Sequence, residues 1–265
     1  MVGGLDTMDG VFLTFTEAQL MGWVTPIFWP FLRILGLFSA APLFSARSVP
    51  MRTRIGLAFV IAVCVQPALP VQPTVSLNSP QALGTLVQQL AIGLSIGLAA
   101  RILFAAIEMA GEIVGLQMGL NYAGFFDPST GSQASTVGRF YGNTTMLLFI
   151  VLNGHLLLIQ AVAASFVTFP VGDDTWTALR QMRLYELGAA IFSHGLWIAL
   201  PLIAILLFVN VVLGIISRIA PQMNVFAIGF PLTLSVGLIG VAASMPLLAE
   251  PVRRLMQLLA DLYGI

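Results

Sequence analysis

Long apolar runs without charge dominate the chain and determine which elements it can form. Residues 55–100, 140–172, 187–217 and 219–249 contain no Asp, Glu, Lys or Arg. A helix needs about 20 apolar residues to cross a bilayer, so each stretch is long enough for at least one crossing. The pattern therefore predicts an all-α, polytopic membrane protein.

Six hydrophobic segments are predicted along the chain, followed by a short amphipathic tail at residues 251–265. The six segments are 18–46, 55–71, 82–100, 140–169, 187–217 and 225–249. No linker separates them, so we expect residues 1–265 to form a single domain of long helices and helical hairpins.

Proline residues lie within several of these segments. The first segment is expected to be interrupted by Pro26, Pro30 and Arg33, whereas Pro201 lies in the fifth and Pro231 lies in the sixth. Because proline removes a backbone hydrogen bond, kinked helices are expected. Irregular backbone cannot face lipid, so it must pack against protein or line a wet cavity. Such helices are typical of a subunit surrounded by other subunits, and a transporter would also contain them.

Composition supports the membrane class and narrows the chemistry. Only 8% of the residues are charged, against roughly 25% in soluble domains, and a net charge of zero gives no indication of nucleic-acid binding. The single Cys64 excludes an intrachain disulfide. No HExxH, P-loop, GxSxG or Rossmann pattern is present. His155 and His194 have no acidic residue within five positions, so we expect hydrogen-bonded structural histidines and predict no enzyme, metal or cofactor.

Arginines between the first two segments indicate how the chain is oriented in the membrane. Arg47, Arg52 and Arg54 cluster there, whereas the loop at 72–81 carries no charge. The positive-inside rule then places 47–54 in the cytoplasm and 72–81 outside. Alternation places 101–139 inside and both termini outside. Arg253 and Arg254 fall on the predicted outer side and count against this topology.

Glycines at helical spacing predict close helix packing. Gly93 and Gly97 form one GxxxG pair, and Gly111, Gly115 and Gly119 extend a second stripe along one helix face. Such stripes let another helix approach closely. They indicate either ordinary packing within the chain or a dedicated seam for partner subunits.

Charged residues accompany the second glycine stripe. Arg101, Glu108 and Glu112 are spaced by seven and four residues, which places them on one helix face. Three interpretations stay open for this face. It is a solvated surface beyond the membrane, an ion-paired polar seam inside an assembly, or a proton relay.

Two adjacent aromatic residues introduce a polar, glycine-containing loop. Phe125 and Phe126 precede Asp127 and Pro128, and Gly131 follows in the run up to Gly138. Pro128 ends the helix because the residue before a proline is biased towards extended backbone. The loop is either simply anchored by its aromatic rings or acts as a hydrophobic plug, in which apolar rings close a pore by excluding water.

Four sequence pieces, taken in order, resemble the FliR family of flagellar export-gate proteins, which is related to injectisome export-apparatus subunits. The resemblance covers about residues 17–255. Its positions are Arg33, Pro42, Pro50, Arg52 and Arg54; Glu108, Glu112, Gly119 and the DPSTG run at 127–131; Asn153, Gly154 and His155; and Pro221, Asn224, Phe226, Gly229 and Pro231.

This resemblance implies a non-enzymatic subunit of the flagellar type III protein export gate in the bacterial inner membrane, at the flagellar basal body. It implies a hetero-oligomeric helical assembly with FliP-type and FliQ-type subunits around a channel, with an FlhB-type switch protein and unfolded flagellar export substrates as further partners. The plug loop of the family corresponds to about residues 119–138, with Phe125 and Phe126 as its candidate plug residues. The alternatives are an injectisome subunit of the same superfamily and a stand-alone secondary transporter.

Overall fold

Apolar sequence becomes helix throughout the described part of the chain. The computed structural model describes residues 17–46, 48–71, 73, 80–120, 135–172, 184–222 and 225–264. Within these ranges the regular elements are helices and no strand is present, which confirms the predicted all-α class. The α-helices are α1 (Glu17–Ala40), α2 (Pro42–Ser45), α3 (Met51–Val65), α4 (Pro80–Gln117), α5 (Thr136–Val151), α6 (Gly154–Thr168), α7 (Leu184–Ile219), α8 (Val225–Ser244) and α9 (Ala249–Tyr263).

Each of the six predicted hydrophobic segments coincides with a helix, or helix pair, apolar enough to cross a membrane. Five stretches meet that description individually, and α5 with α6 supplies a sixth if the pair is counted as one span. A 3₁₀ turn, Met245–Leu248, joins α8 directly to α9. The predicted amphipathic tail corresponds to α9.

Three boundaries differ from the sequence prediction. Pro26, Pro30 and Arg33 lie inside a continuous α1, so the expected interruption is wrong. The third segment does not end at residue 100, because α4 runs for 38 residues, or about 57 Å. The fourth segment is broken, since α5 and α6 meet at a bend of 69°.

Helix α4 is the axis on which the other helices pack. Its first half crosses α1 at very short range, and its second half packs against α5. A Cβ atom at Gly93 would collide with the carbonyl group of Arg33, and one at Gly97 would lie 2.7 Å from the carbonyl oxygen of Leu37. On the opposing helix, a Cβ atom at Gly36 would lie 2.6 Å from the Leu90 carbonyl oxygen. The two backbones therefore approach each other closely only because all three residues are glycine.

Helices α3, α7 and α8 lie at the periphery. Helix α3 buries only Ala58 and Ala62, two small residues one turn apart. In the candidate spans of α7 and α8–α9, 22% of residues are buried, against 56% in α4. By contrast α9 buries one complete face, made of Val252, Leu255, Leu259 and Tyr263.

We predict that Gly93→Ala destabilises the protein by about 1–3 kcal/mol, because its methyl group forces α1 away from α4. Thermal unfolding of the purified protein in detergent measures the effect. Gly84→Ala is the matched control, since Gly84 lies in the same helix and a Cβ atom there meets nothing within 4 Å. Equal melting temperatures for the two variants would contradict the close crossing.

Candidate functional site

The most constrained polar group in the described structure is Arg33, in the middle of α1. Its side chain is fully buried. Its Nε atom donates to Gln89 Oε1 (2.8 Å), Nη1 donates to Ser165 Oγ (2.8 Å) and Nη2 donates to the Phe169 carbonyl oxygen (3.0 Å). The guanidinium carbon also lies 3.7 Å from the centre of the Phe166 ring. One side chain therefore joins α1, α4 and α6.

A second layer of hydrogen bonds extends this network to residues 170–172. Gln89 Nε2 donates to Gln88 Oε1 (3.1 Å), which also accepts from the Gly172 amide (3.1 Å). Gln88 Nε2 donates to the Pro170 carbonyl oxygen (3.3 Å). No carboxylate of the described ranges pairs with Arg33, so the buried charge is stabilised by neutral oxygen atoms and by one aromatic face.

Sequence reasoning singled out Arg33 only through the family resemblance, and it missed Gln88, Gln89, Ser165 and Phe166. A signal for the glutamines exists in the sequence. They are adjacent polar residues within a run of 46 residues that contains no charge. Such a pair inside an apolar helix needs buried partners.

The predicted face of Arg101, Glu108 and Glu112 divides into two parts in the structure. Glu112 faces the start of α5, where its Oε1 and Oε2 atoms accept from the Ser135 amide (2.9 and 3.0 Å). The Ser135 hydroxyl in turn accepts from the Val137 and Gly138 amides, so it is the N-cap of α5. Glu112 lies at the positive end of that helix dipole, which is where an anion is stabilising.

Arg101 and Glu108 instead line an open cleft of ≈ 600 Å³ between α2, α4 and α5. Arg139 and Asn143 of α5 also line it, as do Ser39 and Ser45. The three charged side chains are exposed, and within the described ranges none of them makes an ion pair or hydrogen bond. No ion pair thus forms at this face among the described residues, and the interpretation of an ion-paired seam inside an assembly stays a prediction.

The four helical glycines of the two stripes pack against other helices of the same chain, which agrees with the interpretation of ordinary packing within the chain. Gly93 and Gly97 contact α1, and a Cβ atom at Gly111 would lie 2.7 Å from the Cα atom of Gly138. Gly115 lies against Ser135.

The last glycine of the second stripe, Gly119, has a different role. It follows α4 with a φ of 81° and is not part of a helix face, which corrects the prediction. Its amide donates to the Leu116 carbonyl oxygen, and the Leu120 amide donates to that of Gly115. These bonds form a Schellman C-cap, which requires the left-handed conformation that glycine adopts without strain.

The Asn153–Gly154–His155 motif forms the bend between α5 and α6. Asn153 has a φ of 59° and a ψ of 25°, a left-handed conformation that asparagine tolerates. Gly154 lies directly against the Phe149 ring, which leaves no room for a side chain. The Nδ1 atom of His155 is buried and has no hydrogen-bond partner among the described residues, so the expectation of a hydrogen-bonded His155 is wrong for this atom.

The remaining predicted positions are structural or lie outside the described residues. Pro42 begins α2, Pro50 precedes α3, and Arg54 Nη2 donates to the Ala46 carbonyl oxygen (2.8 Å). Pro221 is exposed after α7, and Pro231 is exposed within α8. The predicted plug residues Phe125, Phe126, Asp127, Pro128 and Gly131 lie outside the described residues, as does Asn224, and the side chain of Phe226 is likewise not described.

In the described part of the chain, no group of three or more His, Cys, Asp or Glu residues is placed to hold a metal ion. Three polar features of this part concern the predicted site residues: the buried Arg33 network, the Glu112 cap and the arginine-lined cleft.

Comparison with known proteins gives consistent similarities over most of the chain. A family model described as bacterial export proteins, family 1, matches residues 24–259. Flagellar biosynthetic protein FliR of Escherichia coli (strain K12) is 44% identical over 237 residues, covering 89% of this chain and 90% of the relative. The FliR protein of Pectobacterium carotovorum subsp. carotovorum is 42% identical over 236 residues, covering 89% and 90%. That of Bacillus subtilis (strain 168) is 32% identical over 234 residues, covering 86% and 89%.

We predict that Arg33→Lys strongly destabilises the protein although it preserves the charge. The planar guanidinium group donates to three separate acceptors, and the ammonium group of lysine cannot reproduce that geometry. At least one buried acceptor is therefore left unpaired, at a cost of about 1–3 kcal/mol. Thermal unfolding in detergent, together with the amount of protein in the membrane fraction, measures the loss. Arg254→Lys is the control, because the Arg254 side chain is 73% exposed, and it should be neutral. An unchanged melting temperature for Arg33→Lys would refute the structural role of the network.

A separate prediction concerns the helix cap. Glu112→Ala should lower stability by about 1–2 kcal/mol through loss of the Ser135 bonds. Glu112→Gln should lose less, since its amide oxygen still accepts from that amide. Glu108→Ala, four residues earlier on the same helix, should have little effect. Melting temperatures therefore fall in the order wild type and Glu108→Ala, then Glu112→Gln, then Glu112→Ala; a loss as large for Glu108→Ala would show that the cap is not the cause.

Proposed function

Because the chain belongs to the FliR family of flagellar export proteins, we propose that it is a non-enzymatic subunit of the flagellar type III export gate in the bacterial inner membrane. In this proposal it forms and seals a protein-conducting channel together with FliP-type and FliQ-type subunits. An FlhB-type switch protein associates with it, and unfolded flagellar proteins pass through the channel. The family and the apolar helices support a membrane protein of the flagellar apparatus.

The observation that carries this proposal is the large apolar surface that the chain leaves uncovered. Helix α7 packs against α4 and α8, and its buried residues include Ala199, Leu202 and Leu206. Many of its other described side chains are exposed, with Trp197 at 74% and Phe208 at 69%. Lipid could cover one side of such a helix, but α3 and α8 are exposed in the same way. Neighbouring helical subunits in an assembly would cover the exposed apolar faces of all three helices.

The proposed plug is supported by the two points where the loop from 121 to 134 joins the described structure. Leu120 is held by the C-cap of α4, and Ser135 is held by Glu112 of the same helix. Both ends of the loop are thus attached to the polar end of α4. We propose that this fixed frame presents Phe125 and Phe126 to the channel, where apolar rings exclude water until a substrate displaces them.

We expect the double variant Phe125→Gly and Phe126→Gly to raise ion leak through assembled gates, because removal of both rings lets water enter the closed channel. Complexes are purified through a tag on this chain and reconstituted into vesicles, and ion flux is measured with and without the substitutions. Ser129→Gly with Thr130→Gly removes two small polar side chains from the same loop and should leave conductance unchanged.

The mass of the purified complex provides the second measurement. A gate subunit copurifies with different small membrane proteins, whereas a stand-alone transporter is recovered as a monomer or homo-oligomer. Recovery of this chain by itself would refute the export-gate assembly. A complete hetero-oligomer whose conductance does not change in the phenylalanine variant would refute the plug alone.

A further inference from the structure

We propose that the arginine-lined cleft between α2, α4 and α5 binds the phosphate group of an anionic phospholipid. We call it the arginine cleft and define it by its charged and amide residues, Arg101, Glu108, Arg139 and Asn143. This site is separate from the buried Arg33 network and from the loop that carries the proposed plug.

Charge is the first argument for an anion. The cleft brings together two guanidinium groups and one carboxylate, which leaves one positive charge. Within the described ranges neither arginine has a hydrogen-bond or ion-pair partner, whereas Arg33 has three hydrogen bonds. A phosphodiester carries a single negative charge, and its oxygens match the planar donor geometry of a guanidinium group. The Asn143 amide provides a further donor.

The second argument is the apolar surface around the cleft. Phe104 and Met146 line it beside the charged groups. Leu98, one turn before Arg101 on α4, is 40% exposed, and Leu147, one turn after Asn143 on α5, is 65% exposed. An isolated phosphate ion would cover none of this surface, whereas acyl chains of a lipid held by its headgroup would cover it. The combination favours a phospholipid over a soluble anion.

Position along the chain is the third argument. Arg101 lies about 20 residues after the start of the candidate span Ala82–Gln117, which is the length of helix that crosses the hydrocarbon core. The wall formed by α2 leads into the basic segment 47–54, which the positive-inside rule assigns to the cytoplasmic side. Basic pockets between membrane helices on that side bind lipid headgroups in other proteins.

The test measures lipid binding to the full-length protein, purified alone or within the complex isolated through it. Native mass spectrometry counts bound phosphatidylglycerol and, in parallel, phosphatidylcholine with the same acyl chains. The wild type should bind phosphatidylglycerol preferentially. Arg101→Gln combined with Arg139→Gln should lower that affinity about tenfold or more, as expected for the loss of charge-assisted hydrogen bonds, and leave phosphatidylcholine binding unchanged. The matched control is Arg253→Gln with Arg254→Gln, which removes two exposed arginines of α9 and should change the affinity less than twofold.

A further variant keeps the proposal testable if the arginine variant does not fold. Glu108→Gln removes the negative charge of the cleft, so it should raise the affinity for phosphatidylglycerol severalfold. Equal binding of the two lipids by the wild type, equal losses in the cleft and control variants, or an unchanged affinity for Glu108→Gln would each overturn the proposal. Displacement of the lipid by equimolar glycerol 3-phosphate would instead identify a site for soluble phosphate and overturn the lipid assignment. Because the readout is lipid binding, failure here is distinct from failure of the export proposal.

Discussion

The buried guanidinium of Arg33 is the constraint on which the rest of the described fold depends. A charge without acceptors in an apolar interior is costly, so α4, α6 and the turn after α6 must each supply an oxygen atom at hydrogen-bond distance. The backbone of the same residue lies against Gly93, where any side chain would collide with its carbonyl group. The close packing of α1 on α4 and the hydrogen bonds to the Arg33 guanidinium therefore depend on the same helix crossing.

The helices that pack on α4 differ between its first and its second half. Its uncharged first half carries α1, and its second half, which begins near Arg101, carries α5. Glycine permits a close approach in both halves, but the partners differ, because Gly93 faces a buried backbone and Gly115 faces the N-cap Ser135. Glu112 then fixes the start of α5. A single helix thus links the apolar core to a polar end from which the loop 121–134 departs.

Sequence patterns predicted the helices because apolar runs of membrane length have few alternatives to helix. They did not predict the bend at Asn153, since a left-handed residue inside an uncharged run leaves no charge or proline as a signal. The sequence pattern placed Glu108 and Glu112 on one helix face. It could not distinguish the roles of the two carboxylates, because each role depends on which group of α5 the side chain contacts. Gly119 was misassigned for a related reason. Its spacing continues a stripe, and only its left-handed conformation after the end of α4 makes it a cap.

Four arginines of the described part of the chain differ in where compensation of their charge comes from. Arg33 is compensated inside the fold, and Arg254 forms an exposed pair with Glu250 on its own helix at 3.1 Å. Arg101 and Arg139 have neither kind of partner in the described structure, although they border surface apolar enough to leave water. Transfer of an uncompensated charge from water to such an environment is unfavourable, so an anion from outside the described fold must accompany these two residues when the surface around them is covered. The exposed apolar surfaces of α3, α7 and α8 also need to be covered from outside the described fold. The arginine cleft needs, in addition, a negative charge that compensates its arginines.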